Sequence, residues 1–297
     1  MAIFFSLYDQ YRIFKQRQKF YNLYGYRLDL ENPRSFNEKI IWRKVFDRNP
    51  LFPLLQDKYK ARGYVVDKLG KEEGEGILVP LLFVTEDPEE IPFDDLPEEY
   101  IIKPNHGSGW HIIVEKGNPA RPKEIVSKCR KWLRKTYGRS RMEWAYSSIA
   151  PLIMVEKLLK DSQGDLVPDF KFHVFNGRIE WVFILNDRFG EPSGARYDIN
   201  FNRMDSSFSK YNEATEIIKP QGFEKMVDIA ERLAGSLDYV RVDMYNVDGK
   251  IYFGEFTIYP SSGLNKMDRA MDLYMGRKLE LDLRFARFFH HCYKFSI

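Results

Sequence analysis

Hydrophobic positions along this chain follow two periods, helical first and then largely alternating. In residues 1–19, Phe4, Phe5, Tyr8, Tyr11 and Phe14 recur at helical spacing beside Arg12, Lys15, Arg17 and Lys19, the pattern of an amphipathic helix. Ser35-Phe-Asn-Glu38 reads as a capping box ahead of Ile40, Ile41 and Trp42, so a second helix starts there. Residues 54–69 predict a third, with Asp57, Lys58 and Arg62 on exposed turns, and the glycines and charges of residues 70–76 end it. Strands are then expected over residues 78–84, 100–103, 112–114, 152–159, 169–175 and 178–185, the last two joined by an Asn176-Gly177 turn. Amphipathic helices at residues 122–137 and 223–233 interrupt them.

The alternation is most informative in residues 240–263, V-R-V-D-M-Y-N-V-D-G-K-I-Y-F-G-E-F-T-I-Y-P-S-S-G, where two β-branched and aromatic runs flank an Asp-Gly turn. A two-residue loop would put Asp243 and Glu255 on opposite faces. A three-residue loop, Val247-Asp248-Gly249, puts them on one face, with Arg241 opposite Glu255. The three-residue loop is chosen because it leaves Val240, Val242, Met244, Tyr252, Phe256 and Ile258 as an apolar back. Two carboxylates about 4 Å apart repel by about 4 kcal/mol at an effective dielectric near 20, so something positive belongs between them. Oxygen ligands without His or Cys suit a hard cation such as Mg²⁺ shared with phosphates. A weak cross-strand Arg241–Glu255 pair on a surface hairpin is the alternative.

A second stretch, residues 100–114, runs from an apolar strand ending in Lys103 through Asn105, His106, Gly107, Ser108 and Gly109 into a returning strand. Glycines let backbone amides approach a phosphate, and the lysine supplies a point charge. This is not a Walker loop, because the lysine precedes the glycines and a strand follows. An ordinary glycine-containing hairpin fits the same residues.

Composition narrows the classes. Lys plus Arg number 46 against 43 Asp plus Glu, a net +3, which argues against a dedicated nucleic-acid binder. The 23 Phe and 18 Tyr supply a large core. Cys129 and Cys292 have no metal-ligand spacing and point to a reducing, cytoplasmic setting. The apolar run at residues 3–7 is too short for a secretory signal, and no segment is long enough to span a bilayer. Residues 283–295, with Arg284, Arg287 and Lys294, repeat the aromatic and basic mixture of the first helix. Packing of that first aromatic stripe on the rest of the protein is the preferred reading, with peripheral contact at the inner face of a membrane as the second.

In combination, F-N-E-K-I, D-R-N-P-L, D-K-Y-K-A-R, K-P-N-H-G-S-G-W, P-D-F-K-F-H-V-F-N-G and V-R-V-D-M-Y…G-K-I-Y-F-G-E-F-T resemble the ATP-grasp superfamily, and within it the teichuronopeptide-biosynthesis, or TupA-like, branch. The resemblance implies an α+β fold in which two α+β subdomains, residues 71–152 and 153–297, clamp ATP behind a helical N-terminal extension, residues 1–70. Under it Lys103 holds phosphate, the loop Asn105, His106, Gly107, Ser108, Gly109 closes over it, and Glu156, Lys157 and Leu158 line the adenine end. Asp169 falls near the ribose, with Lys171 beside it on the same strand, and Arg196 near the phosphates. Asp243 and Glu255 carry Mg²⁺. Thr257 stands where many members have Asn, leaving one or two ions open.

The implied chemistry is carboxylate–amine ligation through an acyl phosphate, with Arg241 stabilising the intermediates. The expected partners are a small-molecule or saccharide carboxylate, such as a uronic acid in a cell-surface polysaccharide or its precursor, and an amine or amino acid. A sugar phosphotransferase and a nucleotide-gated scaffold are the competing readings. A glycosyltransferase would want an Asp-x-Asp, which the chain lacks.

Overall fold

The computed structural model describes residues 6–118, 121–187, 190–204, 211–214 and 217–282. The chain starts helical: α1 (Leu7–Tyr24), α2 (Phe36–Phe46), α3 (Leu51–Gln56), α4 (Lys60–Leu69) and α5 (Lys71–Gly76). The capping box before α2 forms as predicted, since the Ser35 hydroxyl accepts the Glu38 amide and the Glu38 carboxylate accepts the Ser35 amide. The single helix expected over residues 54–69 is two. Asp57 separates them, buried, its carboxylate accepting the amides of Tyr59 and Lys60 and the side-chain amide of Asn105. Residues 71–76, expected as a break, coil into α5, where Gly74 fits because a Cβ there would lie 2.6 Å from the Val66 backbone.

The strands make two antiparallel sheets. The smaller contains β1 (Leu81–Thr85), β2 (Tyr100–Pro104), β3 (Ile112–Val114) and β4 (Ile153–Lys157) in the order β1-β4-β2-β3. It packs against α6 (Pro122–Leu133) through Ile102, Val114, Ile125, Cys129, Trp132 and Val155. The larger sheet holds β5 (Asp169–Phe175), β6 (Arg178–Asn186), β7 (Ser193–Tyr197) and β8 (Arg203–Met204), with β9 (Asn212–Glu213) pairing alongside β7. After α7 (Phe223–Ala234), the hairpin β10 (Tyr239–Val247) and β11 (Lys250–Thr257) completes the order β11-β10-β5-β6-β7-β8, and α8 (Arg269–Lys278) follows. One face of this sheet is apolar throughout. Phe172, Val174, Val182, Ile184, Val240, Val242 and Met244 bury against α7 and the helices α2 to α4 in a single cluster.

In α2 every residue but Lys39 is buried, its charges included. The Arg43 guanidinium lies over the rings of Phe52 and Tyr239, donates to the Tyr239 carbonyl at 3.0 Å and pairs with Asp238 at 2.6 Å. A buried charge is tolerated only when so paired, and here the pairing fixes the helical region to the start of β10. The aromatic stripe of α1 does the opposite of what was expected. Ile13 and Phe20 face inward, while Tyr8, Tyr11 and Phe14 face out; Phe4, Phe5 and residues 283–295 lie outside the described residues. No helix among the described residues is long and apolar enough to cross a membrane.

Candidate active site

The polar face of the large sheet is assembled by register. Arg196, Phe183, Lys171, Asp243 and Glu255 form one row across β7, β6, β5, β10 and β11, each the partner of the next. The adjacent row is Trp181, His173, Arg241 and Thr257. Asp243 and Glu255 therefore share a face, but by a different route from the one predicted. The turn is the two-residue Asp248-Gly249, both left-handed at φ +48° and +90°, with Val247 opposite Lys250. A bulge then inserts Gly254, so that Met244 pairs with Phe253 and Asp243 with Glu255. The extra residue restores the side that the shorter turn would have reversed. Arg241 consequently faces Thr257 and not Glu255, and Tyr252, assigned to the apolar back, is the partner of Tyr245 on the polar side. Gly254 suits the bulge, since a Cβ there would lie a tight 3.0 Å from the Asp243 carbonyl and from the Tyr245 ring.

Side chains supply the positive charge anticipated between the acids. Arg241 grips Asp243 with Nε and a terminal nitrogen, each at 2.6 Å, and donates to Thr257 Oγ1 at 3.0 Å. Lys171 donates to Asp243 at 3.1 Å and also to Asp169. Lys58 pairs with Glu255 at 3.0 Å. Burial works against the Arg241 charge, but Asp243 more than offsets it and holds the guanidinium above its ordinary value. His173, stacked on Trp181 and bonded through Nδ1 to the Tyr239 hydroxyl at 3.0 Å, is kept neutral by burial and by the cations Arg241, Arg196 and Lys171.

The loop after β2 divides by burial. Ser108 and Gly109 are exposed and border the cleft, whereas Asn105 and His106, which the resemblance includes in the phosphate loop although the residues themselves favour a structural role for His106, are buried anchors. The Asn105 side chain bridges Asp57, the Ala150 carbonyl and the Leu152 amide, and His106 Nε2 meets the Trp132 and Lys135 carbonyls. Gly107 offers its carbonyl to Lys58 Nζ at 2.5 Å. Lys58, read from sequence as an exposed turn residue, thus ties the glycine loop to Glu255. Its signal was the D-K-Y-K-A-R segment, where the chemistry of Lys58 is invisible without the third dimension.

On the small sheet Lys103 and Glu156 pair at 2.6 Å, and Arg62, likewise expected on an exposed turn, reaches the same carboxylate at 3.5 Å. Lys157 is exposed and Leu158 buried at the end of β4. Asp169, assigned to the ribose, is buried opposite Tyr245 and Leu185 and pairs with Lys171 on its own strand. Like Asp243, Lys103 and Glu156, it is not among the residues that line the cleft. Arg196 lies over the Trp181 ring at 5.7 Å.

A cleft of about 460 Å³ opens over these rows, bounded also by Tyr137, Arg141, Glu143, Tyr146 and the turn Pro260–Gly263. In that turn Ser261, Ser262 and Gly263 are all left-handed, at φ +48°, +60° and +71°. The N-terminal helices hold it. Lys44 Nζ donates to the Ser262 carbonyl at 2.7 Å, its hydroxyl at 2.9 Å and Gln16 Oε1 at 3.3 Å. Asn37 exchanges two hydrogen bonds with the Asn265 backbone, and Tyr24 donates to the same carbonyl at 2.7 Å.

Burial pushes the Lys44 ammonium down to about 7, against the opposing pull of Glu143. Because the folded value lies below the unfolded one, the unfolded chain holds an extra proton between about pH 7 and 10. This group therefore makes stability rise with pH across that window, by up to about 1.4 kcal/mol per unit, and contributes no slope below it. Lys44→Met should remove the rise. Urea midpoints at pH 7, 8, 9 and 10 measure it, and parallel curves for the two proteins would mean that the ammonium is not desolvated.

Asp243, Glu255 and the Thr257 hydroxyl bring only oxygen atoms to this face, a donor type that suits a hard divalent ion. Each is engaged by a cation in the fold, Asp243 by Arg241 and Lys171, Glu255 by Lys58 and Thr257 by Arg241, and no cluster of three or more His, Cys, Asp or Glu able to enclose a metal occurs among the described residues.

No curated protein matches the chain in sequence. Among solved structures, L-amino acid ligase from Bacillus licheniformis aligns at 12% identity and TM-score 0.50 over 92% of this chain and 62% of its own. D-alanine–D-alanine ligase from Bacillus anthracis complexed with ATP aligns at 19% identity and TM-score 0.41 over 75% of this chain and 60% of its own. The chain thus spans about three fifths of the length of each ligase, and the likeness is one of fold. The profile described as TupA-like ATPgrasp matches residues 38–280, which takes in α2 through α8 and both carboxylates of the hairpin. The chain belongs to the TupA-like ATP-grasp family.

Proposed function

We propose that the protein is an ATP-dependent carboxylate–amine ligase. The observation that carries the reading is the pairing of Asp243 with Glu255 on one sheet face, with Thr257 and Arg241 in the neighbouring row and the Gly107–Gly109 loop latched to Glu255 through Lys58. Asp243, Glu255 and Thr257 would hold Mg²⁺, which when bound neutralises charge on transferring phosphoryl oxygens. Lys103 and the amides of Ser108 and Gly109 bind nucleotide phosphate, Glu156, Lys157 and Leu158 border the base, and the two sheets clamp ATP between them.

A substrate carboxylate oxygen attacks the γ-phosphorus and ADP departs. An amine then attacks the acyl carbon, phosphate leaves, and the amine loses a proton to give the amide. Arg241, already bonded to Thr257 and Asp243, stabilises the acyl phosphate and the tetrahedral oxyanion. The carboxylate is a uronic-acid-bearing saccharide, a choice that rests on the TupA-like family and that the aromatic and cationic lining of the cleft would accommodate; the amino acid as amine and the cytoplasmic assembly of a cell-surface polysaccharide rest on the family alone.

Phosphate release assayed over a panel of uronic acids and amino acids tests this. Release should require a carboxylate and an amine together. Release with a hydroxyl acceptor and no amine would make the protein a phosphotransferase, and no release with any pair would favour a scaffold.

A further inference from the structure

The cleft chemistry makes no use of the outer face of α1. Among the described residues ten large hydrophobic side chains are exposed, and six of them lie on this one helix. Leu7, Tyr11, Phe14 and Tyr21 recur at i, i+4, i+7 and i+14, which places them on a single stripe, and they are 84%, 55%, 53% and 54% exposed. The opposite stripe, Ile13 and Phe20, is buried against α2. A helix apolar on two opposed faces has material for two contacts, and the fold occupies one.

Charge selects the second partner. The helix carries Arg12, Lys15, Arg17 and Lys19 against the single acid Asp9, an excess equal to the +3 of the entire chain. Tyr8, Arg12, Lys15 and Lys19 follow one another at i, i+4, i+7 and i+11, directly beside the apolar stripe. An aromatic stripe bordered by bases is the composition of a helix lying in a lipid headgroup region. A second copy of this chain would have to set the same basic border against itself, which like charges oppose.

We propose that α1 docks the protein on an anionic lipid surface, with Leu7, Tyr11 and Phe14 entering the headgroup layer and Lys15 and Lys19 meeting lipid phosphates. On the ligase reading proposed above, this would seat the cleft beside a membrane with no helix among the described residues long and apolar enough to cross it.

The test is co-sedimentation of the full chain with vesicles of phosphatidylcholine alone and of phosphatidylcholine with phosphatidylglycerol. The wild type should pellet with the anionic vesicles only, and less as salt rises. Lys15→Gln with Lys19→Gln should weaken partitioning about 25-fold, at about fivefold for each charge. Tyr11→Ser with Phe14→Ser should weaken it while keeping the wild-type circular dichroism, since both positions are exposed. A wild type that stays in the supernatant, or variants that bind as it does, would overturn the proposal. So would a concentration-dependent dimer in light scattering that Tyr11→Ser with Phe14→Ser dissolves, because the face would then belong to a second copy.

Discussion

Asp243→Asn is expected to lower turnover about 10³-fold and to lower the melting temperature by about 5–10 °C, two losses with separate causes. The first follows from removing half of the carboxylate pair proposed to hold the divalent ion. The second is visible in the fold itself. Asp243 is buried and accepts two hydrogen bonds from Arg241 and one from Lys171. Stripping one partner from a buried ion pair costs about 3–5 kcal/mol, because the remaining charges are left without compensation. Asn keeps the shape and loses the charge, so packing does not confuse the result. Phosphate release measures the first effect and thermal unfolding without nucleotide the second. Lost turnover with an unchanged melting temperature would show that the ion pairs are not closed in solution, and full turnover would remove Asp243 from the proposed ligand set.

Gly263→Ala is expected to cost about 3 kcal/mol, from overpacking together with a left-handed backbone. At φ +71° the position already disfavours a side chain, and an added Cβ would lie 2.7 Å from Ile41 Cγ1 and 2.9 Å from the Asn37 carbonyl. Those atoms belong to α2, which is buried on nearly every side and has nowhere to move. The Pro260–Gly263 turn must shift instead, and with it one wall of the cleft. The urea midpoint should fall, and KM for the carboxylate and amine should rise more than KM for ATP. Gly249→Ala is the control. It is also left-handed, at φ +90°, but its new methyl meets the end of the Gln221 side chain, which can swing away. Equal losses at the two glycines would assign the effect to backbone conformation alone and not to the contact with α2.

Much of this fold could be read directly from pattern. Capping at Ser35, the Asn176-Gly177 turn and the alternation of β5 and β10 are local features, and local features leave local traces. The polar sides of β5 and β10 were each legible from strand parity, but the row that joins Lys171 to Asp243 depends on the pairing of β5 with β10, and Glu255 joins it only through the bulge at Gly254. What pattern missed involves contacts distant in sequence. Lys58 meets Glu255 across nearly two hundred residues, and Asn105 looks like a phosphate ligand until Asp57 and Leu152 close around it. Lys44 belongs to a helix with charged residues scattered around it, and nothing in that local pattern shows that packing buries the charge or that the Ser262 carbonyl receives it. The outward aromatic stripe of α1 was misjudged because two apolar faces share one periodicity, and only packing shows which is spent on the core.

The swelling at Gly254 bears on how relatives of this chain should be scanned. A ribbon with one more residue in its tip and no kink in its second arm would return both acids to the same side, as would this shorter tip with its kink. The interval separating the two acids along the polymer is 12 positions either way, because the residue gained by the tip is the one lost from the kink. A search for relatives can hold that interval fixed and leave open which of the two places carries the extra residue.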